Sequence, residues 1–449
     1  MLRRSHSFGC GVLTITSSVA PAGRRLVEKT FKLPTLDYAN ASVADLGHHA
    51  GYYSLSDTYA ASMFYFFFEN RNNNTQAPVI IWLTGGPGCS SELAVFYENG
   101  PFRISDDLTL SWNDYGWDQS SNIIFVDSPT GTGFSYSNDS RDSRSDEAGV
   151  SNDLYTFLQA FFAAHPNYVS NPFYITGESY GGHYVPALAS RINQGNQANE
   201  GTQINLKGFA IGNGLTNPGI QYAAYPDFAL ANNLINQSSY DQITQYVPQC
   251  LSATEACGTN GTDACDNALS VCQNIPSSIL QLNPGINFYD IRKPCIGSLC
   301  YNFSNAENFL NEQSVRDALG VGNLQWTPCS DAVTGAFDQD HMRNLEVVIP
   351  PLLEQGIQVL IYAGEDDFIC NWLGNWRWVN AMVWSGQPSF NSSSQVSWQV
   401  NGAEAGILTS SGALNFLKVH NSGHMVPMDQ PQAALSMITQ FIQGTLASQ

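Results

Sequence analysis

One stretch of the chain, Asn171 to Pro186, constrains the possible folds more than any other. It reads NPFYITGESYGGHYVP, so that an apolar segment of the β type, Phe173 to Thr176, enters a turn and a helix-forming segment leaves it. Ser179 has Gly177 and Gly181 at minus two and plus two, the positions where a sharp strand-to-helix turn leaves no room for a side chain. The pattern predicts a nucleophilic serine that is held on a strained turn. The alternative is a chance pentapeptide in a chain with 38 glycines.

Further apolar runs predict a mostly parallel sheet that is covered on both faces. Such strands are continuously apolar, because both of their sides are buried. We expect these strands at Pro78–Leu83, Asn122–Asp127, Ile204–Ile211, Gln358–Ala363 and Leu414–Val419. The aromatic run Met63–Phe68 is too short to span a membrane, and we interpret it as another buried strand. Apolar residues recur at helical spacing from Leu154 to Phe162, which predicts a helix with Ser151 as its N-cap.

The chain divides into four predicted segments. Residues 1–45 are interpreted as a leader, either a signal or a pro-segment, because Arg3 and Arg4 precede a short, interrupted apolar stretch. Residues 46–216 and 344–449 carry the β/α pattern and form the two parts of one core. Between them, residues 217–343 are rich in cysteines and turns. We predict that this segment is an insertion that covers the sheet as a cap.

Composition excludes some partners and favours an oxidising compartment. The 449 residues include 18 Lys+Arg and 38 Asp+Glu, a net charge of −20, so we expect no nucleic-acid partner. No apolar run reaches about 18 residues, so we expect no membrane span. Ten cysteines, together with Asn-X-Ser/Thr sequons, favour secretion, with a vacuole or lysosome-like compartment as the alternative. The sequons, all candidate glycosylation sites, are at Asn40, Asn73, Asn138, Asn236, Asn260, Asn302 and Asn391.

Serine, acid and histidine follow three predicted strands in the chain order of the α/β-hydrolases. The carboxyl ends of parallel strands meet at one crevice, so these side chains are expected to lie together. Spacing alone leaves the acid and the base open among Glu365, Asp366, Asp367, His420 and His424. A fourth loop, Thr84 to Ser91, holds three glycines and a proline. Its free main-chain N–H groups could bind a developing oxyanion, although a plain tight turn is the alternative.

Four long motifs in order make the chain resemble the serine carboxypeptidases, a family of α/β-hydrolases that includes yeast vacuolar and fungal secreted enzymes. They are WLTGGPGCSS at Trp82 to Ser91, GESYGGHYVP at Gly177 to Pro186, GEDDFICNWLGN at Gly364 to Asn375 and SGHMVPMDQP at Ser422 to Pro431. The resemblance covers Gly51 to Gly444. It implies the α/β-hydrolase fold, with a mostly parallel central sheet and a disulfide-rich, largely helical insertion over the active site. It also implies a serine-type carboxypeptidase that releases C-terminal amino acids from peptides and proteins through an acyl-enzyme at acidic pH.

The resemblance assigns the catalytic roles that spacing leaves open. Ser179 is the implied nucleophile and His424 the implied base. Asp367 is the implied acid, since the family places it three residues before the position of Cys370. The implied oxyanion hole consists of the main-chain N–H groups of Gly86 and Tyr180.

The resemblance also implies a site for the substrate's C-terminal carboxylate. Glu98 and Glu178 are expected to share one proton there, because two adjacent carboxyl groups do not both ionise easily. Thr84 stands where the family has an asparagine, and its hydroxyl reaches less far than an amide. The full implied substrate-binding set is Thr84, Gly85, Glu98, Glu178, Cys370 and Met425.

Eight cysteines remain after Cys10 in the leader and Cys370 in the catalytic motif are set aside, and eight allow 105 pairings. The implied disulfides are Cys89–Cys329, Cys250–Cys272, Cys257–Cys265 and Cys295–Cys300. No metal or organic cofactor is expected, since a triad needs none. The expected partners are peptide and protein C-termini, and the chain is expected to act as a monomer or homodimer.

Other functions compete with this hypothesis. The same scaffold hosts acyltransferases and a lyase in plants, and other α/β-hydrolases are esterases. A catalytically silent binding protein is a further class, but such proteins lose triad members. Release of an amino acid from an N-blocked dipeptide at acid pH separates these possibilities.

Overall fold

The computed structural model describes residues 27–30, 48–297 and 299–448. Its strands are β1 Val27–Thr30, β2 His48–Ser54, β3 Ser62–Phe68, β4 Val79–Leu83, β5 Phe102–Ile104, β6 Leu110–Trp112, β7 Asn122–Val126, β8 Phe173–Glu178, β9 Leu206–Gly212, β10 Gln358–Gly364, β11 Val396–Val400, β12 Ala403–Ser411 and β13 Leu414–Val419. Its helices are α1 Glu92–Tyr97, α2 Glu147–Ala164, α3 Gly181–Ala198, α4 Pro218–Ala231, α5 Gln237–Ile243, α6 Val247–Asn260, α7 Thr262–Cys272, α8 Asn274–Leu282, α9 Ser304–Leu310, α10 Gln313–Leu319, α11 Asp331–Ala336, α12 Pro350–Leu353, α13 Trp372–Ala381, α14 Gln387–Asn391, α15 Val426–Asp429 and α16 Pro431–Ile442.

Strands of both halves of the chain join in one 11-stranded sheet. Their order is β1-β2-β3-β7-β4-β8-β9-β10-β13-β12-β11. The six central strands, from β7 to β13, pair in parallel, and the strands at both edges pair antiparallel. This mostly parallel arrangement confirms the predicted fold class. The crossing point of the chain lies at β4 and β8, and the nucleophile follows β8.

The continuous apolar runs arise because each strand faces a core on both sides. In β4, Val79, Ile81 and Leu83 belong to one hydrophobic cluster, whereas Ile80 and Trp82 belong to the other. Helices α2, α3 and α13 contribute to the first cluster, and α1, α9 and α16 contribute to the second. The aromatic strand β3 alternates in the same way, so its interpretation as a buried strand is confirmed.

Helix α2 begins earlier than its apolar periodicity indicates. Asp146 is the N-cap, and its side chain accepts a hydrogen bond from Gly149 N at 2.7 Å. Ser151 lies inside the helix, so the prediction that it caps the helix is wrong. The first turn has no large apolar residue before Val150, and the apolar pattern therefore starts one turn late.

Helices α4 to α11 occupy the predicted insertion, and disulfides hold it together. Two of them join α6 to α7, a third closes a short loop, and the fourth ties the insertion to the glycine-rich loop after β4. The four pairs are those implied by the resemblance: Cys250–Cys272, Cys257–Cys265, Cys295–Cys300 and Cys89–Cys329. Helices that are both long and apolar enough to cross a bilayer do not occur in the described ranges.

Part of the predicted leader belongs to the sheet. Strand β1 pairs antiparallel with β2, with Val27 opposite Tyr52 and Thr30 opposite His49. The remainder of residues 1–45, with Cys10 and Asn40, lies outside the described residues. The division of the chain at residues 46, 217 and 344 stays a prediction.

Candidate active site

Ser179 lies on a strained turn between β8 and α3. Its φ of 62° is in the left-handed region, which a non-glycine residue adopts only when its surroundings enforce it. A Cβ on Gly177 would lie 2.6 Å from Leu83 O, and a Cβ on Gly181 would lie 3.0 Å from the same oxygen. Both glycines therefore let the turn pack against the end of β4. This geometry is that of the predicted nucleophile turn.

Asp367 and His424 meet at the ends of β10 and β13. His424 Nδ1 lies 2.8 Å from Asp367 Oδ2, and both side chains are buried. Asp367 also accepts hydrogen bonds from Asn213 Nδ2 at 2.8 Å, Ile369 N at 3.0 Å and Cys370 N at 3.2 Å. Since Asp367 engages Nδ1 of the imidazole, Nε2 is the nitrogen left to exchange protons with a substrate or with Ser179.

The other candidate acids and histidine have partners of their own. His420 Nδ1 lies 2.7 Å from Glu365 Oε2, and Glu365 also accepts a hydrogen bond from Asn421 N. Asp366 Oδ2 lies 3.3 Å from Arg292 Nε. The structure thus brings Asp367 and His424 together and keeps the other three apart from that pair.

The glycine-rich loop packs directly on the nucleophile turn. A Cβ on Gly85 would lie 2.4 Å from Tyr180 N and 2.6 Å from Ser179 Cβ. Gly86 lines the same cavities as Ser179. Within the described ranges, the N–H groups of Gly86 and Tyr180 have no acceptor. Two unpaired donors beside the nucleophile can stabilise an oxyanion.

Glu98 and Glu178 form a buried carboxyl pair beside Ser179. Burial raises the pKa of Glu98 to about 7. Burial, together with the neighbouring Glu98, also raises the pKa of Glu178. The two carboxyl groups are neighbours, and Oε2 of each has no hydrogen-bond partner among the described residues. The pair therefore holds a proton near neutral pH and has free oxygen atoms for a ligand.

This pair lines a cavity of about 100 Å³. Ser179, His424, Thr84, Gly85 and Met425 line the same cavity. Thr84 Oγ1 accepts a hydrogen bond from Trp82 Nε1 at 2.9 Å, which leaves the threonine hydroxyl proton free to be donated. Five of the six predicted substrate-binding residues thus meet in one small cavity, namely Thr84, Gly85, Glu98, Glu178 and Met425.

A larger cavity, of about 480 Å³, lies on the other side of Ser179. Cys370, the sixth predicted substrate-binding residue, lines this cavity. Its thiol is free and buried, and burial followed by the charge of Asp367 raises its pKa. The sequence gives no local signal for the aromatic part of the wall, because the fold assembles it from separate segments. That part consists of Tyr222, Tyr225, Phe288 and Phe368.

Two residues that contact the catalytic pair were not predicted. Asn213 bonds to Asp367 and also accepts a hydrogen bond from Gly364 N at 3.0 Å. It directly follows the buried strand β9, which is the same signal that indicated the acid and the base. The Tyr289 ring lies 5.0 Å from the His424 ring, and Tyr289 comes from the insertion, where no pattern indicated it.

Comparisons with known proteins agree with this geometry. A family model described as serine carboxypeptidase matches residues 39–444. Serine carboxypeptidase 3 of rice (Oryza sativa subsp. japonica) is 61% identical over 429 residues, which cover 96% of this chain and 85% of the rice protein. Serine carboxypeptidase 3 of barley (Hordeum vulgare) is 60% identical and covers 95% of this chain and 83% of its own.

A solved structure shares the whole fold. It is a prohormone-processing carboxypeptidase from Saccharomyces cerevisiae, with a TM-score of 0.82, 27% identity and coverage of 92% of this chain and 94% of that one. The fold and the site define an α/β-hydrolase with a serine nucleophile. The chain belongs to the serine carboxypeptidase family, and its function is that of a serine-type carboxypeptidase, which acts on peptides. These matches support hydrolysis over the acyltransferase, lyase and esterase alternatives.

Proposed function

We propose that Ser179, His424 and Asp367 are the catalytic triad and that Glu98 and Glu178 select the C-terminal residue of the substrate. One arrangement carries this proposal: two cavities meet at Ser179, and the carboxyl pair lines the smaller one. A peptide whose terminal carboxylate lies against the pair extends its last peptide bond to Ser179. The side chain before that bond then enters the larger, aromatic cavity.

Recognition of the terminal carboxylate depends on the shared proton. A protonated carboxyl donates a hydrogen bond to the substrate, whereas two ionised carboxylates would repel it. The Thr84 hydroxyl and the main chain of Gly85 supply further donors, and Met425 contributes an apolar part of the wall. The small volume of this cavity, about 100 Å³, suits one terminal residue and no longer extension. This arrangement favours an exopeptidase that works at acidic pH.

Acylation uses the triad in its usual roles. His424 Nε2 takes the proton of Ser179 Oγ as that oxygen bonds to the carbonyl carbon of the last peptide bond. The N–H groups of Gly86 and Tyr180 donate to the resulting oxyanion. His424 then gives the proton to the leaving nitrogen, the C–N bond breaks, and the terminal amino acid departs. Ser179 is left as an ester of the shortened peptide.

Deacylation repeats these steps with water. His424 takes a proton from a water molecule, whose oxygen bonds to the ester carbon. The C–O bond to Ser179 then breaks, and the proton passes from His424 to Ser179 Oγ. Asp367 holds Nδ1 of the imidazole and stabilises the imidazolium, while Asn213 and the N–H groups of Ile369 and Cys370 hold the carboxylate in place.

The insertion, residues 217–343, acts as the cap in this proposal, since Tyr222 and Phe288 line the larger cavity and Tyr289 and Tyr301 line the smaller one. The proposed location is the secretory pathway, with secretion or a vacuole as its destination. The disulfides support an oxidising compartment. Sequon asparagines with exposed side chains are candidates for glycosylation, and they are Asn73, Asn138, Asn236, Asn302 and Asn391.

The test is release of the C-terminal amino acid from an N-blocked dipeptide at acid pH. Ser179→Ala should lower kcat by about 10⁶-fold, because triad members act as a unit. Ser190→Ala, in the helix that follows the nucleophile turn, is the matched control and should behave like the wild type, since Ser190 Oγ only accepts a hydrogen bond from Gln194. Turnover by Ser179→Ala close to that of the control would disprove the proposed nucleophile.

A further inference from the structure

A loop of the insertion contacts the two core loops that carry Asp367 and His424, which we call the catalytic loops. We call residues 286–294 the brace loop; it begins four residues after α8 ends. Its main chain bonds to the segment around the catalytic acid and to the catalytic base itself. These hydrogen bonds are Ile291 N to Asp366 O at 3.0 Å, Phe368 N to Phe288 O at 3.2 Å, Ile369 N to Phe288 O at 3.0 Å and His424 N to Tyr289 O at 2.7 Å. The brace loop is thus the segment of the insertion that joins Asp367 and His424 from outside.

The brace loop packs closely on Gly423, the residue before His424. A Cβ on Gly423 would lie 2.4 Å from Tyr289 O and 2.7 Å from Asp290 Cβ. A Cβ on Gly364 would lie 2.0 Å from Gly423 O. Three layers of main chain therefore touch directly at this point, and a shift of the brace loop would displace the residue before His424.

An ionic cluster fixes this contact, with Arg292 at its centre. The guanidinium binds Asp290 through two hydrogen bonds, of 2.8 and 2.7 Å. Its Nε lies 3.3 Å from Asp366 Oδ2, and its Nη2 lies 3.6 Å from Asp429 Oδ2. The same Asp429 oxygen accepts a hydrogen bond from Gly423 N at 2.7 Å. Arg292 therefore contacts a carboxylate next to Asp367 and another that holds the residue next to His424.

The brace loop is held in shape independently of these contacts. Ile286 and Pro294 form an antiparallel bridge at its base, and the Cys295–Cys300 disulfide follows. Asn287 Nδ2 donates to Cys300 O at 3.0 Å. A loop that is closed at its base can keep its shape when the charge at its tip is changed. Substitution of Arg292 should therefore test positioning rather than folding.

We propose that the brace loop positions the acid–base pair and that Arg292 is its positioning residue. This inference rests on the proposed function, since it assumes that Asp367 and His424 act together. The fork on Asp290 fixes the plane of the guanidinium, so that its Nε faces Asp366 and its Nη2 faces Asp429, one carboxylate behind each catalytic loop. Its charge offsets these carboxylates. Arg292 itself touches neither the substrate nor the reacting atoms.

Arg292 also supplies part of the positive charge of this cluster. The cluster contains three carboxylates and two cations, because Lys293 Nζ lies 2.6 Å from Asp429 and 2.9 Å from Asp290. Removal of Arg292 leaves the carboxylates less neutralised, which favours the imidazolium form. Asp367 bonds to His424, and Glu98, Glu178, Tyr289 and Tyr301 line the same cavity as His424. The further charged groups, at the backs of the two catalytic loops, are Asp290, Asp366, Asp429, Arg292 and Lys293. His424 must be neutral to act as the base. The fall of kcat on the acid side of its pH profile, which we call the acid limb, should therefore move to higher pH.

Two variants separate the fork from the charge. Arg292→Lys keeps the charge but loses the fork, so kcat should fall about tenfold or more while the acid limb stays in place. Arg292→Ala loses both, so kcat should fall further and the acid limb should rise by about half a pH unit. KM for free-acid dipeptides should change little in either, since the carboxyl pair is untouched. Arg191→Ala is the matched control, because Arg191 also forks a carboxylate, that of Glu200.

The measurement is kcat and KM against pH, per active site titrated with a phosphonofluoridate that labels Ser179. Normalisation per labelled site removes any loss through unfolding, so a merely structural role would leave kcat and the acid limb unchanged and overturn the inference. Wild-type kcat in Arg292→Lys would overturn it as well, even if Arg292→Ala fails to fold. Absence of turnover in the wild type itself would instead contradict the proposed function.

Discussion

The active site contains two buried carboxyl environments, and they are built in opposite ways. Asp367 accepts four hydrogen bonds, from His424, Asn213 and two main-chain N–H groups. Glu98 and Glu178 lie next to each other, and Oε2 of each has no hydrogen-bond donor among the described residues. All three side chains are almost fully buried. Burial is thus common to both environments, and the number of donors is what distinguishes them.

This difference shows how one site can hold both an anion and an acid. Burial penalises an ionised carboxylate, and hydrogen-bond donors offset that penalty. Asp367 has the donors and can stabilise a positive imidazole. The Glu98–Glu178 pair lacks them, so it retains a proton and can bind the negative end of a substrate. The catalytic and the recognition carboxyl groups therefore need opposite surroundings within one pocket.

Among substitutions within this comparison, the largest effect is expected when the carboxylate of Asp367 is removed. Asp367→Asn keeps the size of the side chain but loses the charge, and the amide no longer holds Nδ1–H of His424 in the required tautomer. We expect kcat to fall by about 10⁴-fold at the pH optimum. KM for a free-acid dipeptide should stay within about threefold, because the recognition pair is unchanged. A loss of less than tenfold in kcat would contradict the role of Asp367.

A smaller effect, on KM alone, is expected from the recognition pair. The pKa of Glu98 is raised to about 7, and that of Glu178 is also raised. A carboxyl group with a raised pKa is protonated below that pKa and loses the proton as pH rises through it. KM for peptides with a free C-terminus should therefore climb above about pH 7, by up to tenfold per pH unit. Peptide amides lack the terminal charge, so their KM should not change in this way.

The double variant Glu98→Gln/Glu178→Gln is the control for this prediction. A neutral amide donates hydrogen bonds at any pH, so the rise in KM for free-acid substrates should flatten. kcat depends on His424 and need not follow the same pH curve. The measurement is KM from about pH 4 to pH 8, for matched acid and amide substrates, which spans the carboxyl and histidine titrations. Parallel curves for the two substrates in the wild type would show that the pair does not read the C-terminus.

Local sequence patterns predict the central strands and the nucleophile turn. Strands β4, β7, β8, β9, β10 and β13 are predicted, because a continuous apolar run records burial on both faces. The nucleophile turn is predicted as well, since a Cβ at Gly177 would clash with Leu83 O and one at Gly181 would crowd the same oxygen. The choice of Asp367 and His424 needed the family motifs, because spacing alone could not separate them from Glu365 and His420.

The rest depends on contacts between residues that are far apart in the chain. The start of α2 was missed because its first turn has no large apolar residue before Val150, although Asp146 caps it. Arg292 contacts Asp366 and Asp429, which lie 74 and 137 residues further on, and no periodicity in residues 286–294 indicates that meeting. The aromatic wall of the larger cavity has the same origin, since Tyr222 and Phe368 meet only in the folded protein. Such features follow from topology, which local patterns do not encode.

The smallest effect is expected at Cys370, whose main chain contacts Asp367. Its N–H bonds to Asp367 and would do so equally in Cys370→Ser. Burial raises the pKa of the thiol, so it is not the thiolate that a cysteine nucleophile requires. We expect Cys370→Ser to keep kcat within about threefold of the wild type. A bulky mercurial should inhibit the wild type, because the thiol lines the larger cavity, and it should not inhibit the variant. A correctly folded but inactive Cys370→Ser would instead point to a Cys–His mechanism, in which Asp367 and His424 serve the thiol rather than Ser179.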